Sequence, residues 1–172
     1  RTLELDADLS GVVEIAISVY EKLGELDEGL SYLSDIAESR SQTGLLNREI
    51  GSKYAELNQM DLAVLNFEKS LFFNNDKDYY AASMLADYYF SVSDYDKAIH
   101  FYQETLSRVE SSNSQNETIE IAQISTQKIM SRYAETLIKA DKKSLANEIL
   151  DELEKLNPEN KFYKQLRAQS TL

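Results

Sequence analysis

Four times along the chain, an aromatic residue or leucine is followed nine residues later by a small residue and four residues after that by a bulky apolar one. The instances are Tyr20/Gly29/Leu33, Tyr54/Ala63/Phe67, Tyr89/Ala98/Tyr102 and Leu137/Ala146/Leu150. A pattern that returns at a near-fixed period predicts one supersecondary unit built several times and stacked on itself. The step is 34 residues from Tyr20 to Tyr54, 35 from Tyr54 to Tyr89, and 48 from Tyr89 to Leu137. The extra residues of the last step must lie between Leu106 and Gln127.

The unit is expected to be helical. One proline and five glycines in 172 residues leave little turn chemistry for a many-stranded sheet. Apolar residues recur at three- and four-residue intervals, and 42% apolar with 28% charged residues suits a globular chain. The absence of cysteine excludes a disulfide framework and thiolate metal ligation, and it agrees with a reducing compartment. No apolar run approaches the ~20 residues of a membrane-spanning helix. The first residue is Arg1, from which a chain excised from a longer protein, or a processed one, is expected.

Within Asn47 to Asn75 the pattern reads Ile50, Gly51, Tyr54, Leu57, Asn58, Asp61, Ala63, Phe67 and Ser70. It resembles the tetratricopeptide repeat, whose signature is a Leu-Gly pair, a Tyr, then Ala and Phe, often closed by Pro. Gly51 and Ala63 would let two antiparallel helices approach, Tyr54 and Phe67 would fill the space around them, and Asn58 would turn the bend. Tyr20, Leu23-Gly24, Gly29 and Leu33 repeat this logic, as do Leu85, Ala86, Tyr89, Ala98 and Tyr102, and then Tyr133, Ala134, Leu137, Ala146 and Leu150. Pro158 follows the fourth unit, where the family often stops a helix.

The resemblance implies an all-α fold, a right-handed superhelical α-solenoid of antiparallel helix hairpins in a single domain over 1–172. Repeats are expected at about 10–43, 44–78, 79–126 and 127–160, the third carrying elongated helices and a loop near 107–126. A capping helix is expected at about 159–170, where Phe162, Tyr163, Leu166 and Arg167 form a short amphipathic stretch. Two positions depart from the pattern. Ile17 stands where a small residue belongs and Gly29 where the family prefers Ala, so an irregular or terminal first unit is expected.

The chain offers little for catalysis. His100, the single histidine, falls off the buried stripe with no partnered Ser or Asp motif, which reads as a surface residue. Asn74-Asn75-Asp76-Lys77-Asp78 looks like a calcium loop only in part, because Tyr79 and Leu85 occupy the places of its Gly and Glu. A turn and helix N-cap, with Asp78 or a neighbour capping, fits that run better. There is no glycine-rich phosphate loop, and the sequon Asn116-Glu117-Thr118 sits in a cysteine-free chain without a secretory context. A non-enzymatic protein with no cofactor and no metal is expected, in the cytoplasm or nucleus.

Eighteen basic against thirty acidic residues give a net charge of −12. That balance repels nucleic acid and suits a basic or mixed protein segment. In tetratricopeptide arrays the first helices of successive units line a concave groove for peptides. The groove-facing offsets select Glu14, Ser18 and Glu21; Arg48, Ser52 and Glu56; Tyr80, Ser83, Asp87 and Phe90; and Lys128, Ser131, Glu135 and Ile138. The family's carboxylate clamp needs Lys and Asn at places held here by Glu14, Ser18, Glu49, Tyr80 and Met84, or by Arg48, Ser52 and Met84, so a chaperone-tail clamp is not expected. Expected instead is a basic or mixed segment anchored by an apolar residue against Tyr80 and Phe90. Self-association is a competing expectation. Phe72-Phe73 and Tyr79-Tyr80 are expected mostly in the core between the second and third units, with any exposed excess marking a second contact surface.

Overall fold

The computed structural model describes the backbone of residues 9–39, 44–73, 79–112 and 119–171, and the side chains of 12–37, 44–73, 79–111 and 126–171. Every regular element among these residues is a helix. In order they are α1 (Leu9–Leu23), α2 (Leu26–Ser39), α3 (Gly44–Glu56), α4 (Met60–Phe73), α5 (Tyr79–Ser91), α6 (Tyr95–Ser112), α7 (Ile119–Lys139), α8 (Lys143–Leu156) and α9 (Lys161–Thr171).

The nine-residue spacing has a backbone cause. At the first bend the Glu25 N–H donates to the Tyr20 carbonyl at 2.9 Å and the Gly24 N–H to the Glu21 carbonyl at 3.1 Å. These two bonds form a Schellman helix end, in which the residue before the last donor takes the left-handed conformation. The Glu25 carbonyl then accepts the Gly29 N–H at 3.0 Å as the first bond of α2. Five residues for the helix end and four for the first helical bond add to nine. The same bonds recur at Tyr54–Gln59–Ala63, Tyr89–Asp94–Ala98 and Leu137–Lys142–Ala146. The left-handed residues are Gly24, Asn58, Ser93 and Asp141, with φ of 75°, 58°, 62° and 58°. The third bend adds a side-chain cap, Asp94 Oδ1 accepting the Lys97 N–H at 3.3 Å.

The chain divides into two compact units, Arg1–Ala81 and Ala82–Leu172. In the first, α1 packs on α2 and α3, and α3 on α2 and α4. Its core holds Leu30, Ile50 and Phe67, each almost wholly buried and each stabilising the fold by about 1.5–3 kcal/mol. A Cβ on Gly51 would sit 3.0 Å from the Phe67 ring and 3.2 Å from the Ala63 carbonyl, which is why the α3–α4 crossing carries glycine. Ile17 occupies the equivalent place in α1 and is buried. Leu33, shorter than Phe67, stands opposite it in the pattern, and the first bend has the same bonds as the others.

In the second unit, α7 packs on α6 and α8, and α9 on both α7 and α8. One core cluster joins Ala86, Ala98, Tyr102, Tyr133, Leu137 and Ala146; another joins Met130, Ala134, Leu150, Leu153, Tyr163 and Leu166. The Tyr102 hydroxyl leaves the core to donate to Asp87 Oδ1 at 2.5 Å, and Gln103 Nε2 donates to the Tyr133 hydroxyl at 2.8 Å. Helices α6 and α7 have 18 and 21 residues against 13 to 15 in α1–α5 and α8, and α7 begins at Ile119. The turn between them, with the sequon, lies outside the described residues, as does the Asn74–Asp78 run.

Past Pro158, Asn160 Oδ1 accepts the Phe162 N–H at 2.9 Å and starts α9. Arg167 fastens that helix to α8, donating to Asp151, to Glu154 Oε2 at 3.1 Å and to Asn147 Oδ1 at 2.9 Å.

Candidate protein-interaction faces

In the first unit, α1 and α3 leave between them a cleft of about 260 Å³ lined by Glu14, Ile17, Ser18, Glu21, Glu49, Ser52, Lys53 and Glu56. Five of these residues, Glu14, Ser18, Glu21, Ser52 and Glu56, belong to the expected groove positions. Four carboxylates face one ammonium. Lys53 Nζ bridges Glu21 Oε1 at 3.0 Å on α1 and Glu56 Oε2 at 3.1 Å on its own helix. The bond to Glu21 foremost, with that to Glu56, holds the ammonium above the ordinary lysine range, against a smaller opposing effect of burial. Glu21 and Glu56 remain more than half exposed, so their remaining lone pairs are open to solvent or a partner.

Two expected groove residues are committed within α3. Arg48 Nη2 donates to Glu49 Oε1 at 2.6 Å, and the Ser52 hydroxyl donates to the Arg48 carbonyl at 2.9 Å. Lys53 was not among the selected positions. Its i,i+3 spacing from Glu56 was a visible signal, but the cross-helix partner Glu21 is set by the α1–α3 crossing.

A second face lies in the second unit, on α5 and α7. Phe90 carries the Arg132 guanidinium over its ring at 5.7 Å, and Arg132 pairs with Glu135 at 3.1 Å. Asp87 is exposed and accepts the Tyr102 hydroxyl. Burial foremost, and then that hydrogen bond, raises the Tyr102 pKa far above the ordinary tyrosine value. Lys128 is exposed and Ser83 half-buried. Ser131 departs from expectation: it is buried, and its hydroxyl donates its hydrogen to the Lys128 carbonyl at 2.8 Å. Arg132, one residue further along α7, is an exposed cation of this face beside Lys128.

The aromatic junction also differs from expectation. Phe67 is the buried ring, with Tyr80 at its edge 6.3 Å away, whereas Phe72, Phe73 and Tyr80 are 78%, 44% and 41% exposed. Ala63, Phe67 and Ser70 define the inner side of α4, and the 3.6-residue turn carries Phe72 to the opposite side. Phe72 and Phe73 pack edge-on against each other at 5.0 Å. His100 is exposed, with Nε2 3.8 Å from Glu104. Among the described residues, no helix is long and apolar enough to cross a membrane.

No protein-family model and no curated protein sequence matches the chain. Among solved structures it is similar to one titled the first TPR of Spaghetti (RPAP3) bound to HSP90 peptide SRMEEVD. The two share 17% identity and a TM-score of 0.56, over 77% of this chain and 93% of that one. A likeness at that identity is one of fold, and the fold is the tetratricopeptide one.

Proposed function

We propose that this tetratricopeptide fold is a non-enzymatic protein-interaction module that binds a basic or mixed peptide or helix segment, as a scaffold or adaptor within a larger intracellular assembly. The observation that carries the reading is the α1–α3 cleft, where Glu14, Glu21, Glu49 and Glu56 outnumber Lys53 and the Arg48 guanidinium that pairs with Glu49. Charges focused in a concave, partly desolvated site act more strongly than the same charges on an open surface, so cationic side chains are the favoured guests. The solved neighbour's peptide, SRMEEVD, ends in acidic residues. The surplus carboxylates of the cleft, Glu14 foremost, would repel such a tail, and the partner proposed here is of the opposite sign.

The face made by Asp87, Phe90, Arg132 and Glu135 offers an aromatic anchor among mixed charges and is assigned to the same class of partner. The net charge of −12 also supports a narrower version, an adaptor that carries a basic client for folding or transport.

A pull-down from the source cell comparing the intact chain with a Glu56/Asp87/Glu135 charge-reversal variant tests the reading. Selective loss of partners from the variant supports it. Identical sets of partners would make both faces solvated surface and defeat it.

A further inference from the structure

We propose that Lys53 is a resident competitor in the α1–α3 cleft and the residue that makes the cleft select arginine over lysine in a partner. The inference rests on the reading of that cleft as a site for cationic side chains. Lys53 Nζ lies 3.0 Å from Glu21 Oε1 on α1 and 3.1 Å from Glu56 Oε2 on α3. Its side chain is 15% exposed against 53% and 67% for the two glutamates, so the amine is drawn into the cleft while both carboxylates keep an open side. Arg48 is held by Glu49 within α3 at 2.6 Å and does not line the cleft. Lys53 is thus the one cation among the lining residues, and it spans both walls.

A partner's cation therefore meets an occupied site. An incoming lysine would form the same two ammonium–carboxylate bonds that Lys53 gives up. Because Lys53 is tethered to α3, its effective concentration at Glu21 and Glu56 exceeds that of a peptide in dilute solution. Exchange of like for like gains no bond and still carries the cost of association and of ordering a long side chain.

An arginine changes that balance. Its planar fork of five N–H donors can take both oxygens of one carboxylate and keep donors for a second. The open sides of Glu21 and Glu56 let the fork engage before Lys53 withdraws, and Glu14, also exposed on the α1 wall, is a further acceptor. A guanidinium is more weakly hydrated than an ammonium, so entering the cleft costs it less. The lysine already in place turns a general attraction for cations into a choice between them.

The test is an anisotropy titration of the intact chain with two labelled peptides, one alternating Ala and Arg, the other alternating Ala and Lys. Wild type is expected to bind the Arg peptide about tenfold more tightly. Lys53→Met, which keeps the stem without the charge, should tighten the Lys peptide about fivefold or more and bring the two peptides to within about threefold. Lys53→Arg, a firmer resident of the same charge, should weaken both peptides about threefold or more. Lys161→Met, on the exposed side of α9, alters the net charge as Lys53→Met does and should leave both affinities as in wild type. Circular dichroism and urea midpoints check each fold, and Lys53→Arg retains a cation between α1 and α3 should Lys53→Met loosen them. Equal binding of the two peptides by wild type overturns the proposal, as do an Arg preference unchanged in Lys53→Met and wild-type affinities in Lys53→Arg. If Glu14→Lys/Glu56→Lys then still weakens both peptides, the cleft remains the site and only the role of Lys53 falls. Peptides that bind neither wild type nor Lys53→Met defeat the site itself.

Discussion

A Cβ placed on Gly29 would lie 2.3 Å from Tyr20 Cγ and 2.7 Å from Tyr20 Cβ, so the first hairpin closes only because α2 has no side chain at that point. Rotation about χ1 would carry Cγ and the ring away but leaves Cβ at 2.7 Å, so the helices must still shift. Gly29→Ala gains helix propensity of about 1 kcal/mol, yet the forced shift of α1 from α2 outweighs it. Urea denaturation should show a net loss of about 1–3 kcal/mol. In a Tyr20→Ala background, which removes Cγ and the ring but keeps Cβ, the same substitution should cost markedly less, and a loss of the same size there would disprove the ring contact as its main cause.

The bends make a separate prediction. Ser93 holds φ 62° without the freedom of glycine or the local bonding habits of Asn58 and Asp141. Ser93→Gly should stabilise by about 0.5–1 kcal/mol, whereas Ser93→Val should destabilise by at least about 1 kcal/mol, both read from urea midpoints.

High pH should weaken the fold. Burial foremost holds Tyr54, Tyr102 and Tyr163 above the ordinary tyrosine value of 10.0, and the Glu21 bond foremost holds Lys53 above 10.5. Groups raised in the folded state contribute stability that is fully present below their unfolded pKa and is lost as pH rises above it. Stability should therefore fall above about pH 10. Tyr102→Phe should cost about 1 kcal/mol at neutral pH, by losing the bond to Asp87, and should flatten the decline above about pH 10. An unchanged alkaline slope would count against the buried hydroxyl.

Arg167 joins α9 to α8 through Asp151, Glu154 and Asn147. Arg167→Ala should cost about 1–2 kcal/mol, a figure kept low because Asp151 is well exposed. Amide hydrogen exchange should quicken first in α9. Arg167→Lys should rescue only part of the loss, because an ammonium cannot reproduce the guanidinium fork.

Much of this fold was legible because the repeat is written into backbone bonding. Tyr54 to Gln59 and Gln59 to Ala63 are fixed steps of five and four, so any sequence building the bend must keep the interval. The sites were less legible. Helical offsets placed Glu14, Ser52 and Glu56 on one cleft, but Lys53 and Arg132 owe their roles to partners on other helices or across a ring, which spacing along one helix does not report. The burial of Ser131 was not legible because a small polar residue reads alike on a buried and an exposed face. The exposure of Phe72 and Phe73 follows from their phase relative to Ala63 and Phe67, which residue size alone does not report.

The central claim, that the α1–α3 cleft receives cationic side chains, is tested most directly by fluorescence anisotropy with a Lys/Arg-rich peptide and an EEVD-ending acidic one. Wild type and Glu14→Lys/Glu56→Lys would be compared at low and moderate salt. The basic peptide should bind wild type, weaken about tenfold or more with the substitutions, and weaken again as salt rises. Salt-insensitive binding unaffected by Glu14→Lys/Glu56→Lys, or preferential binding of the acidic peptide, would contradict it.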